Sequence, residues 1–351
     1  MTPSFWRGRR VFLTGHTGFK GGWLALWLAE MGAEVHGYAL RPPTVPSLFE
    51  VAHVERRLAS STIADVRDAA SLAAAVHAAR PEVVFHLAAQ PLVRRSYLDP
   101  VETYATNVMG VVHLLEAVRA VDGVRAVVNV TTDKCYENDG RAQPYREGDP
   151  MGGHDPYSSS KGCAELVTAA WRRSFLEARG VRVATGRAGN VIGGGDWAGD
   201  RLVPDFLRAI DAGQELVIRS PLATRPWQHV LEPVSGYLRL AQRLCDEGQA
   251  FDGAWNFGPP LHDAKPVRWI VERLCKGVPG ASWRVDAAPQ LHEAHMLSLD
   301  NAKARERLGW TPRWSIEEAL AKTLDWHLAW RKGADMQAHC LAQLRQYGAL
   351  A

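Results

Sequence analysis

"RVFLTGHTGFKGG", residues 10–22, runs a β-branched and aromatic stretch straight into a turn punctuated by Gly15, Gly18 and Gly21. A strand followed by glycines that open a helix is the sequence form of a phosphate-binding turn. Without side chains the backbone can approach a pyrophosphate, whose charge is favoured at the helix N-terminus. The spacing is G-x-x-G-x-x-G rather than the G-x-G-x-x-G of ordinary dehydrogenases. A tight strand-to-helix turn also wants glycine for steric reasons alone, so the trio is decided by its surroundings.

Those surroundings alternate. "AEVHGYAL" (33–40), "EVVFHLA" (82–88) and "AVVNVTT" (126–132) read as strands, with helices predicted from about Gly18, Asp68 and Asp99 between them. Continuous apolar runs such as Val83-Val84-Phe85 and Val127-Val128 fit parallel strands covered by helices on both faces. The expected fold is α/β, a Rossmann-type doubly wound parallel sheet, which takes its ligands at the carboxyl ends of the strands. Asp99-Pro100 and Asp155-Pro156 each supply an N-cap acceptor followed by proline at the first helical position. After "VRVATGRAGN" the pattern loosens into "VIGGGDWAGDRL" (191–202), then short strands and helices down to the helical "SIEEALAKTLDWHLAWRKG" (315–333). A smaller, interleaved C-terminal domain for substrate is expected. Residues 1–187 plus about 226–262 would form the Rossmann domain, and about 188–225 plus 263–351 the other.

With 351 residues, 46% of them hydrophobic, the chain has ample material for a packed core. Its formal charge of +3 is small and its basic residues are dispersed, which gives nucleic-acid binding little support. The start has no apolar run ahead of a small-residue cleavage site, and no apolar run approaches the ~20 residues that span a bilayer. A soluble, cytoplasmic protein without a membrane partner is expected. Cys135, Cys163, Cys245, Cys275 and Cys340 are odd in number and never spaced as C-x-x-C, so they read as reduced thiols rather than a disulfide framework or zinc site. "DAASLAAAVHAAR" reads as an amphipathic helix rather than low-complexity sequence.

Within the alternating frame the glycine turn reads as a dinucleotide site. The second strand ends without the Asp or Glu that holds an adenosine ribose, and Arg41 follows, an arginine suited to a 2'-phosphate. NADP therefore stands open beside NAD. Asp65 in "ADVRD" is a candidate for the adenine edge, while "HLAAQ" (86–90) closes the fourth strand beside the pyrophosphate, with His86 read as a packed strand residue. Tyr157 and Lys161 in "YSSSK" lie one turn apart on a capped helix and share a face. An ammonium beside a phenol stabilises the phenolate, which suits Tyr157 as acid or base for a hydroxyl being oxidised. Such pairs also occur as ordinary surface neighbours; the cap, the strand end and the glycine turn together favour catalysis. Trp23 and Trp27, spaced i, i+4, read as core.

The glycine trio, Y-x-x-x-K and a Thr ahead of the tyrosine resemble the extended short-chain dehydrogenase/reductases that act on nucleotide sugars. More closely, "TGHTGFKGGWLALWL", "PPTVPSLFE", "HLAAQPLVRRSY", "NVMGVVHLLEAV", "TTDKCY", "PMGGHDPYSSSKGCAEL", "RAGNVIGGGDWAGDRLVPD" and "RPWQHVLEP" look like the CDP-glucose 4,6-dehydratases, from about residue 9 to 332. The resemblance implies an internal redox cycle on CDP-glucose with tightly held NAD, NADP being the lesser alternative. Tyr157, aided by Lys161 and Thr132, would take the carbon 4 hydroxyl proton, and Asp133 would protonate the departing carbon 6 hydroxyl. Lys134 stands where the thymidine-nucleotide relatives carry a glutamate base. A lysine abstracts a proton only when neutral and Asp133 donates only when protonated, so the two read as one coupled unit, or else as a structural ion pair at a strand end.

The resemblance also implies cofactor contacts from Gly15, Thr17, Gly18, Phe19, Lys20, Gly21, Asp65, Val66, Leu87, Ala88, Ala89, Thr106, Tyr157 and Lys161. Substrate contacts would come from Gln90, Asn190, Asp196, Trp197, Arg201, Arg219, Arg225 and His295 in "HEAHML". The two arginines Arg219 and Arg225 suit a diphosphate, or stand as solvated surface charges. His292, Glu293 and His295 are ligand types, but the redox cycle requires no metal and none is expected. A homodimer through a four-helix bundle, and a role in deoxysugar and lipopolysaccharide O-antigen synthesis, complete the implied picture. A nucleotide-sugar 4-epimerase and a non-catalytic dinucleotide-binding regulator are the competing readings.

Overall fold

The computed structural model describes residues 2–286 and 297–348. Seven strands form one parallel sheet: β1 (Arg10–Thr14), β2 (Glu34–Ala39), β3 (Ser60–Ile63), β4 (Val83–His86), β5 (Ala126–Val130), β6 (Arg182–Ala188) and β7 (Gly253–Phe257). Their spatial order is β7-β6-β5-β4-β1-β2-β3. The chain thus winds outward from β1 in one direction, returns, and winds outward from β4 in the other. The expected doubly wound sheet is present, and its reversal between β1 and β4 leaves the crevice where such folds bind ligands.

Alternation of side chains explains why both faces need cover. Val11 and Leu13 join one apolar cluster, with Trp23, Leu24 and Trp27 of α1 (Phe19–Glu30), while Phe12 between them joins the other. That second cluster includes Leu72 and Val76 of α2 (Ala69–Ala79), Leu114 and Val118 of α3 (Gly110–Arg119), and Ala164 of α4 (Pro156–Trp171). Successive residues of a strand point to opposite faces, so a strand apolar at every position must be sandwiched. Every residue of β4 and β5 is buried. Leu231, Val234 and Leu238 of α5 (Leu231–Glu247) complete the first cluster, as do Trp326, Met336 and Leu344 from late in the chain.

A third apolar cluster draws Ile192, Phe206, Ile218 and Trp227 together with Ile270, Val271 and Leu320. Around it lie short strand pairs: Gln228–His229 with Val191–Ile192, Thr224–Pro226 with Ala264–Pro266, and Leu216–Ile218 with Trp283–Val285. The segment 191–202 therefore crosses from the main sheet to this cluster. The predicted late helix spans Ile316–Arg331 and opens with a capping box of Ser315 and Glu318. All five cysteines are free thiols. No helix among the described residues is long and apolar enough to cross a membrane.

Candidate active site

Three helices begin as an Asp-capped sequence should. Asp68 accepts from the Ala70 and Ser71 N–H groups, Asp99 from Glu102, and Asp155 from Ser158. The helix α1 begins instead with Gly18 and has no side-chain cap, so its first N–H groups remain for a ligand. Gly15 adopts φ +79°, and a Cβ there would sit 2.7 Å from the Ala88 nitrogen; a Cβ on Gly21 would collide with the Gly15 carbonyl oxygen. The turn can exist in this form only with glycine at both positions. Thr17 Oγ1 donates to the Leu40 carbonyl, tying the turn to the end of β2. Thr14 Oγ1 lies 2.7 Å from His86 Nδ1 and accepts from the Leu87 and Ala88 N–H groups, which locks β1 to β4 at the reversal. His86 is a buried strand residue, its ring held neutral by burial, which lowers its pKa to about 3.

The Asp65 carboxylate takes the Arg67 backbone N–H and pairs with its guanidinium at 2.6–3.1 Å, while its carbonyl accepts from Tyr38 Oη. Arg67 was not foreseen. Val66 is buried, its carbonyl 3.1 Å from His113 Nδ1. Arg41 is exposed just beyond β2, Phe19 lies against the backbone of Gly193, and Thr106 falls in a widened helical turn, Ala105–Met109.

At the other end the predicted catalytic residues converge. Asp133 and Lys134 form a single turn directly after β5, with Thr132 as its cap. Asp133 is buried; Oδ1 accepts from Thr132 Oγ1 at 2.9 Å, and Oδ2 has no partner among the described residues. Burial raises its pKa, opposed by the Lys134 charge and the Thr132 hydrogen bond. Lys134 does not form a close ion pair with it; its Nζ lies 6.0 Å from the centre of the Tyr157 ring. Tyr157 is buried on α4, and desolvation pushes its pKa up to about 12 against the lowering effect of the Thr132 hydrogen bond. Lys161, one turn on, is brought down to about 8 by burial, opposed by the charge of Glu165.

Lys20, expected among the cofactor contacts, is half-buried and near enough to this cluster to feel its charges. Desolvation, then the charges of Arg201 and Lys161, lower it to about 7, against the pull of Asp133. Arg201 pairs with Asp196 at 2.8 Å and lies near enough to Tyr157 to feel its charge. Arg225 is buried and acts electrostatically on Asp133, with Nη1 donating to the Thr224 carbonyl.

Other predicted contacts are engaged within the protein. The Gln90 amide is spent on the Leu92 backbone and Thr103 Oγ1. Trp197 stacks edge-on against Trp326 and Trp330, the Asn190 carbonyl accepts from Gln228, and Arg219 pairs with Asp200 at 3.2 Å. Arg94, unforeseen, approaches the same Asp200 carboxylate at 3.6 Å. His292, Glu293 and His295 lie outside the described residues.

Two further residues support the cluster without having been singled out. Asn107 donates to the Gln90 carbonyl and to Ser160 Oγ on α4, and accepts from Gln90 N–H. Ser96 Oγ accepts from the Tyr157 N–H, holding the start of the helix. Both stood inside motifs already quoted, "NVMG" and "RRSY", so their segment was legible but their role was not.

The chain matches the model of the NAD dependent epimerase/dehydratase family over residues 11–256. It belongs to that family. Among its relatives, the CDP-glucose 4,6-dehydratase of Salmonella typhimurium is 56% identical over 339 residues, covering 95% of this chain and 94% of the relative. The UDP-glucose 4-epimerase of Mycolicibacterium smegmatis is 32% identical over 254 residues, 70% of this chain and 76% of that one. A dTDP-glucose 4,6-dehydratase double mutant from Streptomyces venezuelae, solved with NAD bound, superposes with a TM-score of 0.78 at 26% identity, covering 93% of this chain and 99% of that one. The family's cofactor fits what is here: a side-chain-free turn, an uncapped helix start and the β1–β4 crevice lie together.

Proposed function

We propose that this enzyme dehydrates CDP-D-glucose to CDP-4-dehydro-6-deoxy-D-glucose. The observation that carries this reading is the 56% identity to a CDP-glucose 4,6-dehydratase across nearly the whole of both chains. The site supports it independently, because a 4-epimerase needs only oxidation at carbon 4, with no use for a buried carboxyl of raised pKa beside the tyrosine. A non-catalytic regulator needs neither.

The turn Gly15–Gly21, with Asp65, Val66, Leu87, Ala88, Ala89, Thr106 and Lys161, would hold NAD. When bound, it supplies the redox chemistry, accepting hydride from carbon 4 and returning it to carbon 6. Tyr157 receives the carbon 4 hydroxyl proton; Lys161 and Arg201 offset the negative charge that its phenolate carries. The ketone at carbon 4 acidifies the hydrogen on carbon 5; Lys134 removes that proton and gives one back to carbon 5 when hydride reaches carbon 6. Asp133 delivers its proton to the carbon 6 oxygen, which leaves as water. Burial of Asp133 raises its pKa, the direction that a proton donor needs. Arg225 and Arg219 are assigned to the substrate diphosphate, and Asn190, Asp196 and Trp197 to shaping its loop.

Exposed apolar side chains support a homodimer through helices. Leu98 and Val101 are 86% and 78% exposed, and Met109 and Leu166 are exposed on the helices that follow. A cytoplasmic site and a role in deoxysugars of surface polysaccharide are consistent with this substrate.

The test is incubation with CDP-, UDP-, dTDP- and GDP-glucose, followed by mass and proton NMR of the products. Loss of water with a new methyl signal, greatest for CDP-glucose, is expected. Unchanged mass with an inverted carbinol would point to epimerisation, and no turnover across the panel to a regulator.

A further inference from the structure

We infer that the buried Glu165–Arg187 pair is a positioning device that clamps the Asp133–Lys134 turn at both ends and registers it against the catalytic helix. The inference rests on the reading of Asp133 and Lys134 as acid and base. Both partners are almost fully buried, at 3% and 2% side-chain exposure. The fork is bidentate: Arg187 Nε donates to Oε1 at 3.0 Å and Nη2 to Oε2 at 2.8 Å. Two hydroxyls complete the carboxylate's shell, Thr131 Oγ1 on Oε1 and Thr185 Oγ1 on Oε2. On its far side Arg187 Nη1 donates to Tyr136 Oη at 2.8 Å and to the Glu147 carbonyl, and Tyr136 Oη donates to Asn256 Oδ1 on β7.

Thr131 and Tyr136 are the residues that bracket Thr132, Asp133, Lys134 and Cys135. One ion pair therefore grips the residue before the turn and the residue after it. Inside the turn the restraints are fewer. Thr132 Oγ1 donates to Asp133 and accepts from the Lys134 N–H; Cys135 N–H reaches the Thr132 carbonyl, and the Cys135 carbonyl accepts from Gly152. At its front end only the Thr131 N–H, donating to the Gly186 carbonyl, adds a second tie to the sheet. Glu165 also follows Lys161 by one turn, as Lys161 follows Tyr157, so the three share a face of α4. The same carboxylate thus fixes the distance between the group that oxidises carbon 4 and the groups that act at carbons 5 and 6.

A buried ion pair is a costly way to hold strands together, since apolar residues of similar volume often serve stability as well or better. Geometry is what the fork adds: two parallel hydrogen bonds define an orientation that apolar contact leaves loose. Elimination is the step that needs it, because acid and base must reach adjacent carbons together.

Thr131→Val and Tyr136→Phe each cut one tether while leaving the ion pair whole. In single turnovers with CDP-glucose, the near-ultraviolet absorbance of the reduced cofactor rises with oxidation at carbon 4 and decays as dehydration completes. Each variant is expected to slow the decay by roughly 10-fold or more, the scale of a small misplacement, with the rise little changed. Thr131→Ser, which restores the hydroxyl, should recover the decay. Equal slowing of rise and decay, or a lowered melting temperature with both rates unchanged, would reduce the pair to a structural support and overturn the proposal. If the wild-type protein itself forms no dehydrated product, the underlying reading of the site fails, and the clamp with it.

Discussion

Asp133 is the side chain on which the proposed chemistry turns. Among the described residues its side chain has one hydrogen bond, from Thr132, and its Oδ2 has no partner, so burial makes the charged form costlier than on an exposed aspartate. Asp133→Asn keeps the shape and removes the proton. Product formation should fall ~10²–10⁴-fold, the usual worth of a general acid, while oxidation at carbon 4 persists as reduced-cofactor absorbance. In the wild type, elimination should decline as pH rises through the raised pKa of Asp133, because the donor form is lost on its alkaline side. Lys134→Ala should likewise permit one oxidation and stall there; methyl product at the wild-type rate would remove Lys134 from its role. The two side chains were expected as a coupled unit or a plain ion pair. The Lys134 Nζ also lies 6.0 Å from the centre of the Tyr157 ring, so the tyrosine is a third member of the group.

Among the elements, the contrast between α1 and α4 separates cofactor binding from scaffolding. Gly21→Ala would drive a methyl group into the Gly15 carbonyl and open the phosphate turn. NAD binding by equilibrium dialysis should be lost while circular dichroism stays native; retained affinity would contradict the assigned turn. Asp155→Ala removes the cap of α4 and should lower stability by ~1 kcal/mol in urea unfolding. Caps, strand runs and the glycine turn were legible because each is a local pattern with one physical meaning. The doubly wound parallel sheet followed from alternation; the order of its seven strands came only with the structure. Side-chain pairings were not legible: "ADVRD" holds both Asp65 and Arg67 but does not announce that the arginine takes the carboxylate, and nothing near Lys20 announced that it would feel the charges of Asp133 and Lys161. Gln90 was read as a substrate contact from the family resemblance; the fold adds that its amide is hydrogen-bonded to Thr103 and Leu92, which the sequence did not announce.

For the whole molecule, buried titratable groups set opposing pH dependences. Glu232 is buried and holds the Arg313 and Trp314 N–H groups and Tyr347 Oη. Burial raises its pKa from 4.5 to about 7. Between those values the native state keeps a proton that the unfolded chain has released, so this group's contribution to stability falls as pH rises across that window. His86 and His229, lowered by burial from 6.5 to about 3, act in the opposite sense: stability is lost as pH falls below 6.5. Melting temperature against pH should therefore rise more steeply between 4.5 and 6.5 in Glu232→Gln than in the wild type. An unchanged profile would contradict the assignment. Assembly is tested by Leu98→Glu with Val101→Glu, which should convert a dimer to a monomer in sedimentation velocity.

The proposed dehydration is tested most directly by turnover of CDP-glucose in deuterium oxide, with proton NMR of the product. Removal of the carbon 5 proton and transfer of hydride from carbon 4 to carbon 6 should give a methyl singlet, its neighbour on carbon 5 replaced by solvent deuterium. A product with its carbon 6 hydroxyl intact and no deuterium at carbon 5 would contradict the elimination, and with it the roles of Asp133 and Lys134.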